Sequence, residues 1–237
     1  MAKGPPGYDK QIEFRMRFSD IVQRAAADRG RREKPVHERV GPCLTISRQA
    51  GSGGGEIAER ISRELGWSVL DKELVADLAE RLQVSPQRLA LMDETSSNWF
   101  RDTLLNLMDP GIVLQDCYVS MLGKVILLAG YQGRVVIVGR GAHLILPRPS
   151  VLAVRVVASR EKRVEAMAAR EGLGQRDAAK RVDELDGSRD SFVRRNFRVD
   201  PDDPEHFDLI IDAGSFGIGD TSDLIVDALR RRGLAEG

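Results

Sequence analysis

Residues 43–66 read CLTISRQAGSGGGEIAERISRELG, and this stretch decides the fold. It opens on a short apolar run, Cys43 to Ile46, of the kind a buried strand needs. Ser47-Arg48-Gln49-Ala50 leads into Gly51-Ser52-Gly53-Gly54-Gly55. A helix follows, with Ile57, Ala58, Ile61 and Leu65 on one face and Glu59/Arg63 and Arg60/Glu64 as four-spaced ion pairs outside. Gly66 ends it. Strand, glycine-rich turn and helix together aim several backbone N–H groups at one point, which suits an anion. Four glycines among five residues let the backbone curl closely around a phosphate. A merely flexible turn is the plain alternative. The position between a strand and an amphipathic helix favours phosphate binding at Gly51, Ser52, Gly53, Gly54 and Gly55.

Outward from this unit the pattern repeats. Val69-Leu70 reads as a second strand with Asp71 just beyond it, and Val135 to Val138 as a third, followed by Gly139-Arg140-Gly141. Val151 to Ala158 is a fourth strand before a helix from Arg160 to Arg170, and Phe207 to Ile211 a fifth before a helix from Asp220 to Arg232. Short apolar strands alternating with amphipathic helices imply a parallel sheet covered on both faces. Between the second and third strands, residues 73–130 read as wholly helical, an insertion. At the N-terminus, residues 1–41 hold an amphipathic helix (Phe14, Phe18, Ile21, Val22 and Ala25 at helical spacing) and a basic linker. That helix has nothing local to cover its apolar face, so it packs on its own domain or mediates homodimerisation.

Composition narrows the function classes. With 237 residues the chain can bury one sizeable core, and 42% apolar with 30% charged residues is ordinary for a globular protein. Lys plus Arg equals Asp plus Glu at 36 each, which gives no case for a nucleic-acid or membrane partner. Cys43 and Cys117 lack zinc-type spacing and read as reduced thiols, consistent with the cytoplasm. His37, His143 and His206 are scattered and pair with no nucleophile motif. Trp67, Trp99 and Phe100 read as core.

The blocks TISRQAGSGGGEIAERISRELGW (45–67), LDKEL (70–74), VVIVGRGAHLIL (135–146), VRVVASREKRVEAM (154–167), VDELDGSRDSFVRRNF (182–197) and FDLIIDAG (207–214) resemble the cytidylate-kinase-like branch of the nucleoside monophosphate kinases. The resemblance implies a P-loop α/β fold: a three-layer α/β/α domain over residues 42–237 with a five-stranded parallel sheet, a helical NMP-binding insertion at about 73–130 and an Arg-rich lid at about 174–200. It implies ATP with Mg²⁺ and phosphoryl transfer to a nucleoside monophosphate or similar small phosphorylated acceptor. A nucleotide-binding sensor that kept the fold without the chemistry is the alternative.

This sequence departs from the family's usual loop. The lysine position is Gly54, the threonine position Glu56 and the first glycine Arg48. Beyond Asp71 the family's serine is Lys72, and an arginine used on the monophosphate falls at Asp77. The divergent branch shows this lysine-less type of loop. Phosphoryl transfer needs cations, so Arg48 at the loop mouth, Lys72 after a second strand end and Arg140 between two glycines are the candidates. Arg140 matches the family's Gly-Arg-Asp site, a phosphate clamp. Arg189 and Asp186 match the lid's Asp-x-x-Arg pattern, with Arg194 in the same segment. Arg163 falls where the family packs an arginine near the ATP base. Asp71, Lys72 and Asp186 are expected on the acceptor. Glu56 is a candidate for Mg²⁺ through water, although a carboxylate in a helix's first turn is favourable in itself.

Overall fold

The computed structural model describes residues 40–71 and 117–236. The N-terminal segment, Lys72, Asp77 and most of the expected insertion lie outside the described residues. The elements run β1 (Cys43–Arg48), α1 (Gly54–Leu65), β2 (Ser68–Leu70), α2 (Cys117–Gln132), β3 (Val135–Val138), α3 (Ala142–Ile145), β4 (Val151–Val157), α4 (Arg160–Glu171), α5 (Gln175–Phe197), β5 (Leu209–Asp212) and α6 (Ala213–Arg231). The five strands form one sheet in the order β2-β3-β1-β4-β5, and every pairing is parallel.

β1 sits at the centre because its first four residues are all buried, which only a strand covered on both faces allows. Its register aligns Ile46 with Val138 of β3 and Arg48 with Val156 of β4. The residues after β1 and β3 and those ending β4 therefore emerge together at one edge of the sheet. Side chains alternate along each strand. Leu44 and Ile46, with Val136, Val138, Leu152, Val154 and Val156, pack against Ile57, Ala58 and Ile61 of α1 and Ile225, Val226 and Leu229 of α6. Cys43, Val135, Ile137 and Val151 face the other way, against Leu122, Val125, Ile126 and Ala129 of α2. The three layers follow from this alternation. Trp67 is buried in the first of these clusters.

Two elements differ from the sequence reading. The helix expected from Asp220 begins at Ala213, because Asp212 caps it by accepting from Gly214 N at 2.9 Å. Gly217, at φ 77 and ψ 172, then breaks it before the regular part. The segment expected as a lid contains one 23-residue helix, α5. Its N-terminal half packs Ala178 and Val182 against Val164 and Met167 of α4, and Phe197 closes the α2 side of the core with Phe192 and Val193 beside it.

Candidate active site

The glycine turn is shaped by its neighbours. Gly51 and Gly53 hold φ of 79° and 81°, a region that disfavours side chains. A Cβ on Gly51 would stand 2.3 Å from the carbonyl oxygen of Arg163, and one on Gly53 would run into Ile218 Cδ1. Gly53 is also the N-cap of α1 and makes no side-chain cap hydrogen bond. The first helical bond is Ile57 N to Gly53 O at 3.0 Å. The N–H groups of Gly54, Gly55 and Glu56 precede it and have no intrahelical acceptor, so among the described residues the helix offers an anion a bare N-terminus. By contrast, Ser159 caps α4 and Asp212 caps α6.

The other loop groups are engaged in holding this shape. Ser52 is buried and its hydroxyl donates to Gln49 O at 2.9 Å and lies 3.3 Å from Val156 O. Gln49 Oε1 accepts from Ala158 N at 3.1 Å. Asp186 on α5 accepts from Ala50 N at 2.7 Å through one carboxylate oxygen and from Arg163 Nη1 at 2.6 Å through the other. Arg163 also donates to Ala158 O at 3.1 Å and Ala50 O at 3.3 Å. Arg163 and Asp186, expected on nucleotide and acceptor, thus brace the loop, and Asp186 also lines the cavity at the strand ends. Arg194 stands apart as well: it is more than half exposed, paired with Asp200 at 2.9 Å.

At the strand ends, reaching Gln49 just before the loop, lies a cavity of about 280 Å³ walled by Ser47, Arg48, Arg140, Arg155, Arg189 and Asp190 among others. Gly139, Arg140 and Gly141 are consecutive left-handed residues with φ of 79°, 58° and 66°. Such a conformation costs Arg140 on the order of 1 kcal/mol. It is held by Gly139 N donating to Ile46 O at 2.9 Å and by the ring of Phe197, which would lie 2.4 Å from a Cβ on Gly141. The Arg140 guanidinium sits over the Phe192 ring, 5.6 Å from its centroid. Arg189 donates to Arg48 O at 3.3 Å.

Three arginines converge here. Burial first, then the charges of Arg189 and Arg140, push the Arg48 guanidinium down to about 10, against a smaller opposing pull from Asp71. Arg189 is also lowered, mainly by burial. Among the described residues, neither Arg48 nor Arg140 has an ion-pair partner within 4 Å. Asp186, Asp190 and Asp202 line the same cavity, with Asp202 on Arg155 and Asp186 near Arg189, so the like charges left for an anion to stabilise are those of Arg48 and Arg140.

Sequence reasoning missed the far wall. Arg155 of β4 is buried, donates to Ser47 Oγ at 2.9 Å and pairs with Asp202. Its guanidinium lies 5.7 Å from the Phe207 ring centroid, and Phe207 stacks on His143 at 4.8 Å. Asp190 is raised by burial first and by Asp202 next, with Arg155 opposing. Strand alternation was the available signal: Arg155 shares its face with Cys43 and Ser47, so it cannot reach solvent on the α1 side.

A model of the cytidylate kinase-like family matches residues 43–215. The chain belongs to this family. It is thus kinase-like, in keeping with nucleotide-dependent phosphotransfer chemistry. Among solved structures, an uncharacterized protein from Eubacterium ventriosum ATCC 27560 is similar with TM-score 0.65 and 20% identity over 80% of this chain and 98% of that chain, a likeness of fold. Shikimate kinase from Bacteroides thetaiotaomicron is more remote, with TM-score 0.42 and 13% identity over 80% of this chain and 98% of that one. A gluconokinase from Sinorhizobium meliloti 1021 stands at 0.37 and 15%, with the same coverage. No curated protein matches the chain in sequence. No described helix of this kinase-like chain is long and apolar enough to cross a membrane.

Among the described residues no three His, Cys, Asp or Glu side chains gather as a metal cage. Mg²⁺ at phosphates needs only one or two carboxylates, since water and phosphate oxygens complete its shell. Glu56, exposed in the first turn of α1, and Asp71, after β2 and close enough to act on Arg48, suit that limited role.

Proposed function

We propose that this cytoplasmic, cytidylate-kinase-like chain transfers the γ-phosphoryl group of ATP to a nucleoside monophosphate or similar small phosphorylated acceptor. The observation that carries the reading is one juxtaposition: an uncapped helix N-terminus under a glycine loop, beside a cavity walled by Arg48, Arg140 and Arg189. In this reading the phosphates of ATP lie along the N–H groups of residues 53–56. The acceptor's phosphate lies against Arg140 in the cavity.

An acceptor phosphate oxygen attacks the γ-phosphorus, a new P–O bond forms, and the bond to the β–γ bridging oxygen breaks. ADP leaves with that electron pair. A phosphate monoester is mostly dianionic near neutrality, so the attack needs no general base and no covalent enzyme intermediate. The chain's part is positioning and neutralisation of charge on the transferring group, which is where most of the acceleration of phosphoryl transfer arises. Mg²⁺, bound chiefly through the phosphates, would add Lewis-acid neutralisation there. α5 walls the cavity and limits water that would otherwise hydrolyse ATP.

The test is ADP release with ATP and Mg²⁺ against CMP, dCMP, UMP, AMP and GMP. Turnover with at least one is expected. Arg140→Ala should lower kcat/KM by roughly ten- to a hundredfold, the value of a charge-assisted contact, with little change in Tm. ATP binding with no turnover of any acceptor would replace this reading with a nucleotide-binding sensor. Loss of folding in Arg140→Ala would make the residue structural.

A further inference from the structure

We propose that Arg48 and Gly54 are an exchanged pair: the cation facing the nucleotide's β- and γ-phosphates enters from the end of β1, through the volume a side chain at position 54 would fill. This deepens the phosphotransfer reading above and rests on it.

The path of Arg48 is bordered by glycine at both ends and fixed at its stem. A Cβ on Gly54 would lie 2.7 Å from Arg48 Cβ and 2.8 Å from its Cγ. These are stem atoms, which cannot swing aside as a flexible tip would. Arg48 therefore runs across the first turn of α1. Its guanidinium continues to the end of β3, where a Cβ on Gly139 would be 2.1 Å from Nη1. Gly54 is thus required by the stem of Arg48, while Gly139, which needs glycine for its own φ of 79°, leaves room for the guanidinium.

Strand alternation explains the direction. Arg48 follows Leu44 and Ile46 on the face that packs against α1, so its stem must leave toward the glycine loop. A lysine on the helix would reach the phosphates from beside the loop; an arginine on the strand reaches them from beneath it. The guanidinium then shares the cavity with Arg140 and Arg189. Glycine at 54 is, in this arrangement, the complement of Arg48. It is not a gap in the site.

Three sets of variants separate charge from packing, with affinity for ATP, ADP and AMP measured by calorimetry. Arg48→Met keeps the stem over Gly54 and removes the charge. It should weaken ATP by roughly tenfold or more, ADP less, and AMP within about twofold. Arg48→Lys should retain most of the ATP affinity. Gly54→Lys alone should gain nothing, because the stem of Arg48 stands in its way. Combined with Arg48→Gly, Gly54→Lys should recover ATP affinity and turnover that Arg48→Gly loses.

Lys72→Ala is run in parallel. If Arg48→Met binds ATP as wild type does, or if the Arg48→Gly/Gly54→Lys protein binds no better than Arg48→Gly, the exchange is overturned. Loss of ATP binding in Lys72→Ala with an intact Arg48→Met would give the role to Lys72. If wild-type protein itself binds no nucleotide, the phosphotransfer reading fails first and this inference with it. A fall in thermal stability equal in Arg48→Met and Arg48→Lys, with no split between ATP and AMP, would mean that Arg48 only packs.

Discussion

Removing Asp186 tests whether the glycine loop is held by α5. Its carboxylate accepts from Ala50 N at 2.7 Å and Arg163 Nη1 at 2.6 Å. The Arg163 side chain is only 10% exposed, so Asp186→Ala leaves a nearly buried cation with two carbonyl acceptors and, among the described residues, no ion-pair partner. Breaking a fully buried pair on one side costs about 3–5 kcal/mol. Asp186 is 25% exposed, and solvent reaching it brings the figure to the lower end, about 3 kcal/mol. Asp186→Asn keeps one oxygen acceptor and should cost roughly half as much. For a chain of this size, about 3 kcal/mol lowers Tm by roughly 6–12 °C. Urea unfolding at fixed pH, with the slope checked for constancy, measures the free energy directly. A double-mutant cycle with Arg163→Met should return a coupling of about 0.5–3 kcal/mol. If Asp186→Ala unfolds within about 0.5 kcal/mol of wild type while acceptor KM rises tenfold, the brace argument is refuted and Asp186 belongs to the substrate.

Two further outcomes follow from the geometry. Gly51→Ala places a Cβ 2.3 Å from Arg163 O at φ +79, so it should destabilise by at least ~1–3 kcal/mol and abolish nucleotide affinity; a stable variant that still binds ATP would remove the loop from the site. Burial, then the charges of His206, Arg155 and Arg148, lower His143 to about 3. The folded state therefore keeps it neutral, while the unfolded chain protonates it near its ordinary value of about 6.5. Stability from this residue is complete above ~6.5 and is lost as pH falls from there toward about 3, by up to ~1.4 kcal/mol per unit. His143→Gln should flatten that slope in urea titrations, and an imidazole signal titrating near 6.5 in folded protein that disappears in His143→Gln would contradict it.

The parallel sheet and the glycine turn were legible in the sequence because each rests on local pattern: mostly apolar runs of two to eight residues, a turn only glycine can make, and helix faces at regular spacing. The cooperation between distant residues was not. Arg163 reads as a surface helix residue, yet it is nearly buried because Ala50 and Asp186 receive it from other elements. Arg155 sits in the run VRVV, where the pattern gives a strand but not which neighbours pair with it. α5 is charged along most of its length, and its anchoring by Phe192, Val193 and Phe197 needs the sheet to be in place first. Arg194 and Arg189 lie five positions apart in that helix, so they cannot share one face, and only Arg189 turns to the cavity.

The contact of Ile218 with Gly53 joins the glycine turn near the chain's beginning to a helix made near its end. Synthesis runs from the N-terminus, so β1 and the turn leave the ribosome long before Ile218 exists. During that interval the turn has no wall on the α6 side, and the strand beside β4 is also absent, since β5 precedes Ile218 by only a few residues. Until residues 209–231 have been made, the turn lacks the wall that Ile218 gives it and the sheet lacks its β5 edge.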